Sequence, residues 1–344
     1  MVHEFVYRQI KSSNNFHQVN KLSKPVIINA PDLVTALYSI EFSSDPALYS
    51  IKVKETLEKG KYFITYSEYI RQTLMIRDYR KPLENVVAIK HTNNTSLPFI
   101  AIDNGRASEL NAKTHYDVRL CRKILNQCIP RSCPSYYRKK INFDNVHYIF
   151  YASQIRPHKN FITLFKAFEY LLRKKYYQFK LIITGNVNEF SQTMGSKYIY
   201  EHNLEHDVIA LSGVSTTTLA ALYKCAELVV NPSMYEGGFA FSFGESMSVG
   251  TPCIIANAPF EMEILEPAEL SDITFDPTNW LDLANKIEYG FKNREELYNK
   301  ELPLYEKIQK RTPNVVAKEY IDVFTYFYKK SMSFETSEEK NGAI

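Results

Sequence analysis

The chain has 344 residues, 45% of them hydrophobic, a formal net charge of +4, and only 11 glycines against 25 tyrosines and 21 phenylalanines. That length exceeds the usual reach of one core and predicts two domains. The small net charge gives no ground for a nucleic-acid partner. The opening residues MVHEFVYRQIKSS lack the apolar segment of a secretory signal, and no run approaches the ~18 apolar residues of a membrane span. Cys121, Cys128, Cys133, Cys225 and Cys253 show no C-x-x-C spacing. They predict free thiols in a reducing cytoplasm rather than a zinc site or disulfide framework.

In chain order, KPVIINA (24–30) reads as a buried strand and 47–57 as a helix. KYFITYSEYIRQTL (61–74) reads as a strand followed by a helix with Ser67 at its N-cap, and ENVVAI (84–89) as another strand. These elements predict a first α/β domain over 1–143. It looks reduced, because no glycine precedes Gly60 and the Gly-rich turn that usually opens a nucleotide-type domain is missing.

From Arg119 to Lys140 the composition shifts to seven Lys/Arg with no Asp or Glu, and to the prolines Pro130 and Pro134. This segment reads as a solvated basic linker. Its functional alternative is attraction to an anionic membrane surface or an acidic acceptor, worth about 1 kcal/mol per basic residue near anionic lipid.

After residue 146 the pattern becomes regular. Strands are expected at HYIFYAS (147–153), FKLIIT (179–184), VIAL (208–211), LVV (228–230), CIIA (253–256) and ITF (273–275). Between them fall helices, the first with Phe161, Leu164, Phe165, Phe168, Leu171 and Leu172 at helical spacing. Others are expected around 190–203, from Ser215, over Ser242–Val249 and from about Asn279. Six strands alternating with helices predict a doubly wound parallel sheet with its ligand crevice at the carboxyl ends of the strands. This second domain is placed at 144–314, a C-terminal helix packing back on the first domain at 315–334, and a disordered polar tail at 335–344.

Two strand-to-helix loops belong at that edge. QIRPHKN (154–160) carries Arg156 and Lys159 before a helix. NPSMYEGGFAFSFGESMSVGTP (231–252) carries two carboxylates, Glu236 and Glu245, around a Gly-Gly loop. Backbone N–H groups at a helix start, with two cations, suit a diphosphate without a metal ion. The absence of an Asp-x-Asp pair, a common holder of metal–diphosphate, fits such a site. Each residue also has a plainer reading: Lys159 as solvated surface, Arg156 in an ion pair, Glu236 as a loop carboxylate. Ser242 and Glu245 form S-x-x-E, which suits a capping box as well as a Glu reaching for ligand hydroxyls.

YEGGFAFSFGESMSVGTPCI (235–254) resembles the E-x7-E signature of the family 4 retaining glycosyltransferases, of GT-B fold. YASQIRPHKN (151–160), VIALSGVSTTTLAALYKCAELVVNPS (208–233) and FDP (275–277) resemble the family's basic loop, its next helix–strand unit and the end of its donor domain. The resemblance covers about 144–290 and implies two Rossmann-type domains. It implies that Glu236 contacts the donor sugar, Glu245 the ribose hydroxyls and Lys159 the diphosphate. Gly237, Gly238 and Phe239 would present backbone N–H groups, and Ser242, Gln154 and Val214 fall among the substrate-binding positions. Three departures stand out. Eight residues, not seven, separate the glutamates, and the arginine usual in the basic loop is Gln154, leaving Arg156 as its substitute. The N-terminal domain, where the family's acceptor sits, is short and lacks its Gly-rich first strand–turn.

The resemblance thus implies a metal-independent retaining glycosyltransferase with no cofactor, moving a sugar from a nucleoside-diphosphate donor to a glycan or glycolipid hydroxyl. Its expected location is the cytoplasm, with peripheral contact at the inner face of a membrane. The alternative is a non-catalytic nucleotide-sugar-binding or assembly protein with a degraded acceptor domain.

Overall fold

The computed structural model describes residues 6–9, 26–30, 54–92, 110–132, 141–185, 194–265 and 273–341. In the first domain, β1 (Val6–Gln9), β2 (Val26–Ala30), β3 (Tyr62–Thr65) and β4 (Val86–Ala88) form a parallel sheet in that spatial order. Register places Ile27 beside Tyr62 and Phe63 beside Val86. Because strand side chains alternate between faces, Ile28 and Phe63 enter one cluster while Ile27, Tyr62 and Ile64 enter another. The first cluster is covered by Leu57 of the helix at 54–59 and by Ile70, Leu74 and Met75 of the π-helical stretch Ile70–Asp78. Ser67 caps the start of that helical segment, its Oγ accepting the Ile70 N–H at 3.2 Å. Strand β1 was not foreseen, since VYRQ is short and half polar. Residues 47–53 of the helix expected at 47–57 lie outside the described residues.

Helix α1 (Leu110–Ser132) precedes the second sheet. The basic segment expected as a linker is therefore helical through residue 132. Cys121, Leu125 and Ile129 are buried in the second domain's core, while Arg119 and Lys123 stay exposed. Cations on the solvent side of an amphipathic helix look like a linker when only composition is counted. Residues 133–140 lie outside the described residues.

The second sheet contains β5 (Tyr148–Tyr151), β6 (Lys180–Thr184), β7 (Val208–Leu211), β8 (Leu228–Asn231), β9 (Cys253–Ala256) and β10 (Thr274–Phe275). They are parallel, in the order β10-β9-β8-β5-β6-β7. This is the doubly wound order, and its direction reverses between β5 and β8, where Ile149 pairs with Leu228 and Phe150 with Val229. β5, β7, β8 and β9 are buried at every residue, as a sheet covered on both faces requires.

The covering helices are α2 (Phe161–Arg173), α3 (Met194–Glu201), α4 (Thr216–Cys225), α5 (Phe241–Ser248), α6 (Trp280–Lys292) and α7 (Arg294–Gln309). Helix α2 buries Phe161, Leu164, Phe165, Phe168 and Leu171, with Leu172 half-buried. Ser215 and Asn279 cap α4 and α6 by accepting backbone N–H bonds. Past α5, Gly250 takes φ +81°, a left-handed conformation that ends the helix at little steric cost to glycine.

Helix α8 (Pro313–Asn341) returns to the first sheet, where Val316 and Phe327 are buried against Ile27, Tyr62 and Ile64. It runs to Asn341, so the segment 335–341, expected to be disordered, is helical: Glu338, Glu339 and Lys340 are good helix formers and no Gly intervenes before Gly342. Phe327 is fully buried, its ring centroid 4.8 Å from that of Tyr62. Phe327→Ala should cost about 3–5 kcal/mol, read as a lower denaturation midpoint of the transition that unfolds the first domain.

Candidate active site

The reversal of strand order brings the loops after β5 and β8 side by side. Polar bonds join them: the Met234 N–H donates to the His158 carbonyl at 2.8 Å, and Ser233 Oγ donates to the same oxygen at 3.5 Å. In the first loop a 3-10 turn, Pro157–Lys159, is followed by Asn160 in the left-handed region (φ 57°, ψ 40°). Asparagine tolerates that conformation, and here its Nδ2 donates to the Pro277 carbonyl at 2.7 Å. The buried Tyr151 hydroxyl donates to the Lys159 carbonyl at 3.1 Å. Held this way, the Lys159 ammonium forms an ion pair with Glu236 across the two loops.

His158 beside it is buried, and that burial, reinforced by Lys159 and Arg156, pushes its imidazole down to about 3. It is neutral at physiological pH, and the cations of this loop are Lys159 and Arg156.

In the second loop, Asn231 accepts the Ser233 N–H at 3.1 Å and donates to Ser242 Oγ at 3.0 Å. Ser242 therefore does not cap its helix. The N-cap is Ala240, whose N–H donates to the Glu261 carboxylate at 3.2 Å. The capping-box reading of Ser242 and Glu245 fails with it: Glu245 lies a full turn inside α5 and accepts the Tyr223 hydroxyl at 2.5 Å. Burial pushes the Glu245 carboxyl up, and the Tyr223 bond pulls it back.

These groups open onto a cleft of about 1040 Å³ between the domains. Lys159, Glu236, Glu245, Gly237, Gly238 and Phe239 line it, as do Ser242 and Gln154. Arg156 and Val214 are not among its lining residues. The charge of Arg156 acts on His158, and Val214 packs against the second core. The first domain supplies the opposite wall through Tyr66, Ser67, Lys90, His91 and Thr92. His91 lies on Tyr66 at 3.8 Å between ring centroids, with Nε2 3.3 Å from the Tyr320 hydroxyl. Burial lowers its pKa, and Arg311 lowers it further.

Sequence reading missed this wall, along with Tyr223, Glu261 and Glu263. For the two glutamates a signal was present: FEMEIL (260–265) sets two carboxylates in an apolar run just after a buried strand.

Two parallel-sheet domains with a crevice at the second sheet's switch point define a GT-B architecture. Solved structures share it. A glycosyltransferase from Rickettsia africae superimposes with TM-score 0.61 at 15% identity, over 93% of this chain and 76% of its own. Sucrose-phosphate synthase from Thermosynechococcus elongatus gives 0.64 at 15%, over 95% and 74%. HepE of Anabaena, solved with UDP and glucose, gives 0.55 at 17%, over 91% and 72%. The sequence profile of the glycosyl transferases group 1 matches residues 136–311, and the chain belongs to that family. An uncharacterized glycosyltransferase of Methanocaldococcus jannaschii is 29% identical over 199 residues, 52% of this chain. The match spans 48% of that relative's length. No helix among the described residues is long and apolar enough to cross a membrane.

The Glu245 carboxyl gives a pH test. Its proton is held more tightly in the folded protein than in the unfolded chain. Its contribution to stability is therefore present at acid pH and is lost as pH rises above the ordinary value of 4.5. Glu245→Gln should remove that loss. Compared with wild type, its urea midpoint should gain as pH is raised from about 4 to about 7, while the Tyr223 hydroxyl keeps an acceptor.

Proposed function

We propose that this protein is a retaining, metal-independent glycosyltransferase that transfers a sugar from a nucleoside-diphosphate sugar to a glycan or glycolipid hydroxyl. The observation that carries the proposal is the Lys159–Glu236 ion pair at the switch point, with Glu245, one turn into α5, lining the same cleft. The family supports sugar transfer, and the residue chemistry supports the details.

A diphosphate leaving group gains negative charge as the bond from the anomeric carbon to its oxygen breaks. Lys159 is placed to meet that charge, and the backbone N–H groups of the Gly237–Phe239 loop supplement it. Pairing with the diphosphate releases Glu236 to accept hydroxyl protons of the donor sugar and to favour an oxocarbenium-like centre. Glu245, oriented by Tyr223, presents a carboxylate to vicinal ribose hydroxyls. The acceptor oxygen forms the new bond to the anomeric carbon from the leaving-group face, and its proton passes to the departing diphosphate oxygen. No protein nucleophile is required.

The acceptor then lies against Tyr66 and His91 of the first domain. Exposed Arg119 and Lys123 on α1 support contact with an anionic membrane surface where a glycolipid is the acceptor. A panel of nucleotide sugars should reveal a donor that the wild-type protein transfers or hydrolyses in the presence of chelator. Glu236→Ala should lower kcat for that donor by about 100- to 1,000-fold. Near-normal turnover in the variant overturns the assignment. Donor binding without transfer or hydrolysis in wild type favours the binding-only reading.

A further inference from the structure

The loop that carries Glu236 contains two adjacent glycines, Gly237 and Gly238, so its own sequence does little to restrict it. Both of its ends are fixed by neighbouring residues of one 3-10 turn, Glu261–Glu263, and the residue before it. At one end Tyr235 is 5% exposed, and its ring meets Phe260 at 6.0 Å, edge to face. At the other end the Ala240 N–H donates to both Glu261 carboxylate oxygens, at 3.2 and 3.5 Å.

The same turn is fastened to the first domain. Tyr235, Ala258 and Phe260 are buried in the first domain's cluster with Ile28, Phe63 and Leu74. Glu263 accepts the backbone N–H groups of Glu68 at 3.0 Å and Tyr69 at 2.5 Å, and its carboxylate lies 3.4 Å from the Lys90 ammonium.

Glu261 is 2% exposed and does not line the cleft, so it does not reach a ligand there. Burying a carboxylate is costly, and nothing in an apolar strand-to-turn connection calls for one. Its surroundings show what it serves. Burial pushes its carboxyl well above the ordinary range, Glu236 pushes the same way, and the Ala240 N–H and Lys159 oppose them. It sits within electrostatic reach of both members of the ion pair at the site.

We propose that Glu261 is a positioning residue for the sugar transfer: by holding the Ala240 N–H it sets the loop of Glu236 against Lys159. Through Phe260 and Glu263 the same turn couples that setting to the placement of the first domain. The proposal rests on the transferase reading for its kinetic consequence, and on geometry alone for the clamp.

Glu261→Leu removes the buried acceptor, while Glu261→Gln keeps an acceptor oxygen. With the donor found by transfer or hydrolysis, Glu261→Leu should lower kcat by about 100-fold with donor KM changed less than about threefold. Glu261→Gln should stay within about fivefold of wild type. Amide exchange of the 236–241 segment should accelerate in Glu261→Leu and return to the wild-type rate in Glu261→Gln.

An unchanged kcat in Glu261→Leu, a change confined to KM, or equal impairment in Glu261→Gln overturns the positioning role. Should Glu261→Leu fail to fold, Glu261→Gln alone decides: loss of kcat beyond fivefold, or faster exchange of the 236–241 segment, overturns it. Exchange needs no turnover, so a wild-type protein that transfers nothing would defeat the transferase reading and leave the clamp to stand or fall on the exchange rates.

Discussion

Everything at the cleft follows from one pairing, Ile149 with Leu228 and Phe150 with Val229, where β5 meets β8. Parallel strands need long crossovers. At this pair the crossovers depart to opposite sides, so the two loops following the strands face each other with no helix between them. The Met234–His158 hydrogen bond ties the loops, and the Lys159–Glu236 ion pair bridges them. A cation and an anion from loops some 77 residues apart in sequence thereby become neighbours. Apart from a ligand, each is the other's counter-ion, and this keeps two partly buried charges tolerable.

The second constraint is apolar. Tyr235 and Phe260 stand next to the polar residues of the site, and both are buried in the first domain's core. The domains thus share packed side chains at the edge of the cleft, and α8 adds Val316 and Phe327 on the opposite face of the first sheet. A change at Glu236 or Glu261 is consequently a change beside a packed interface. Site geometry and domain placement are linked through two successive residues, Phe260 and Glu261.

The second domain was legible in the sequence because its strands are short apolar runs buried at nearly every position, separated by helices with clear spacing. Glu236 and Lys159 could be placed at the carboxyl edge of that sheet for the same reason: strand ends locate loops, and loops locate charges. What remained hidden depended on distance in the chain. Ser242 and Glu245 satisfied a capping spacing, yet Asn231 and Tyr223 claim their side chains from other elements. The cations around 119–132 lie on a helix whose buried face, Cys121, Leu125 and Ile129, is too sparse to overrule composition. Strand β1, with half its residues polar, joins the first sheet through its register with β2 rather than through any pattern of its own.

In the proposed transfer the Lys159 ammonium exchanges its partner Glu236 for a diphosphate. Calorimetric titration of nucleoside diphosphates in chelator measures this exchange, with Lys159→Ala and the corresponding nucleosides as controls. One site per chain is expected, with affinity reduced about 10- to 100-fold in Lys159→Ala and by at least as much when the phosphates are removed. Equal affinity in wild type and Lys159→Ala, or for nucleoside and nucleoside diphosphate, would rule this exchange out.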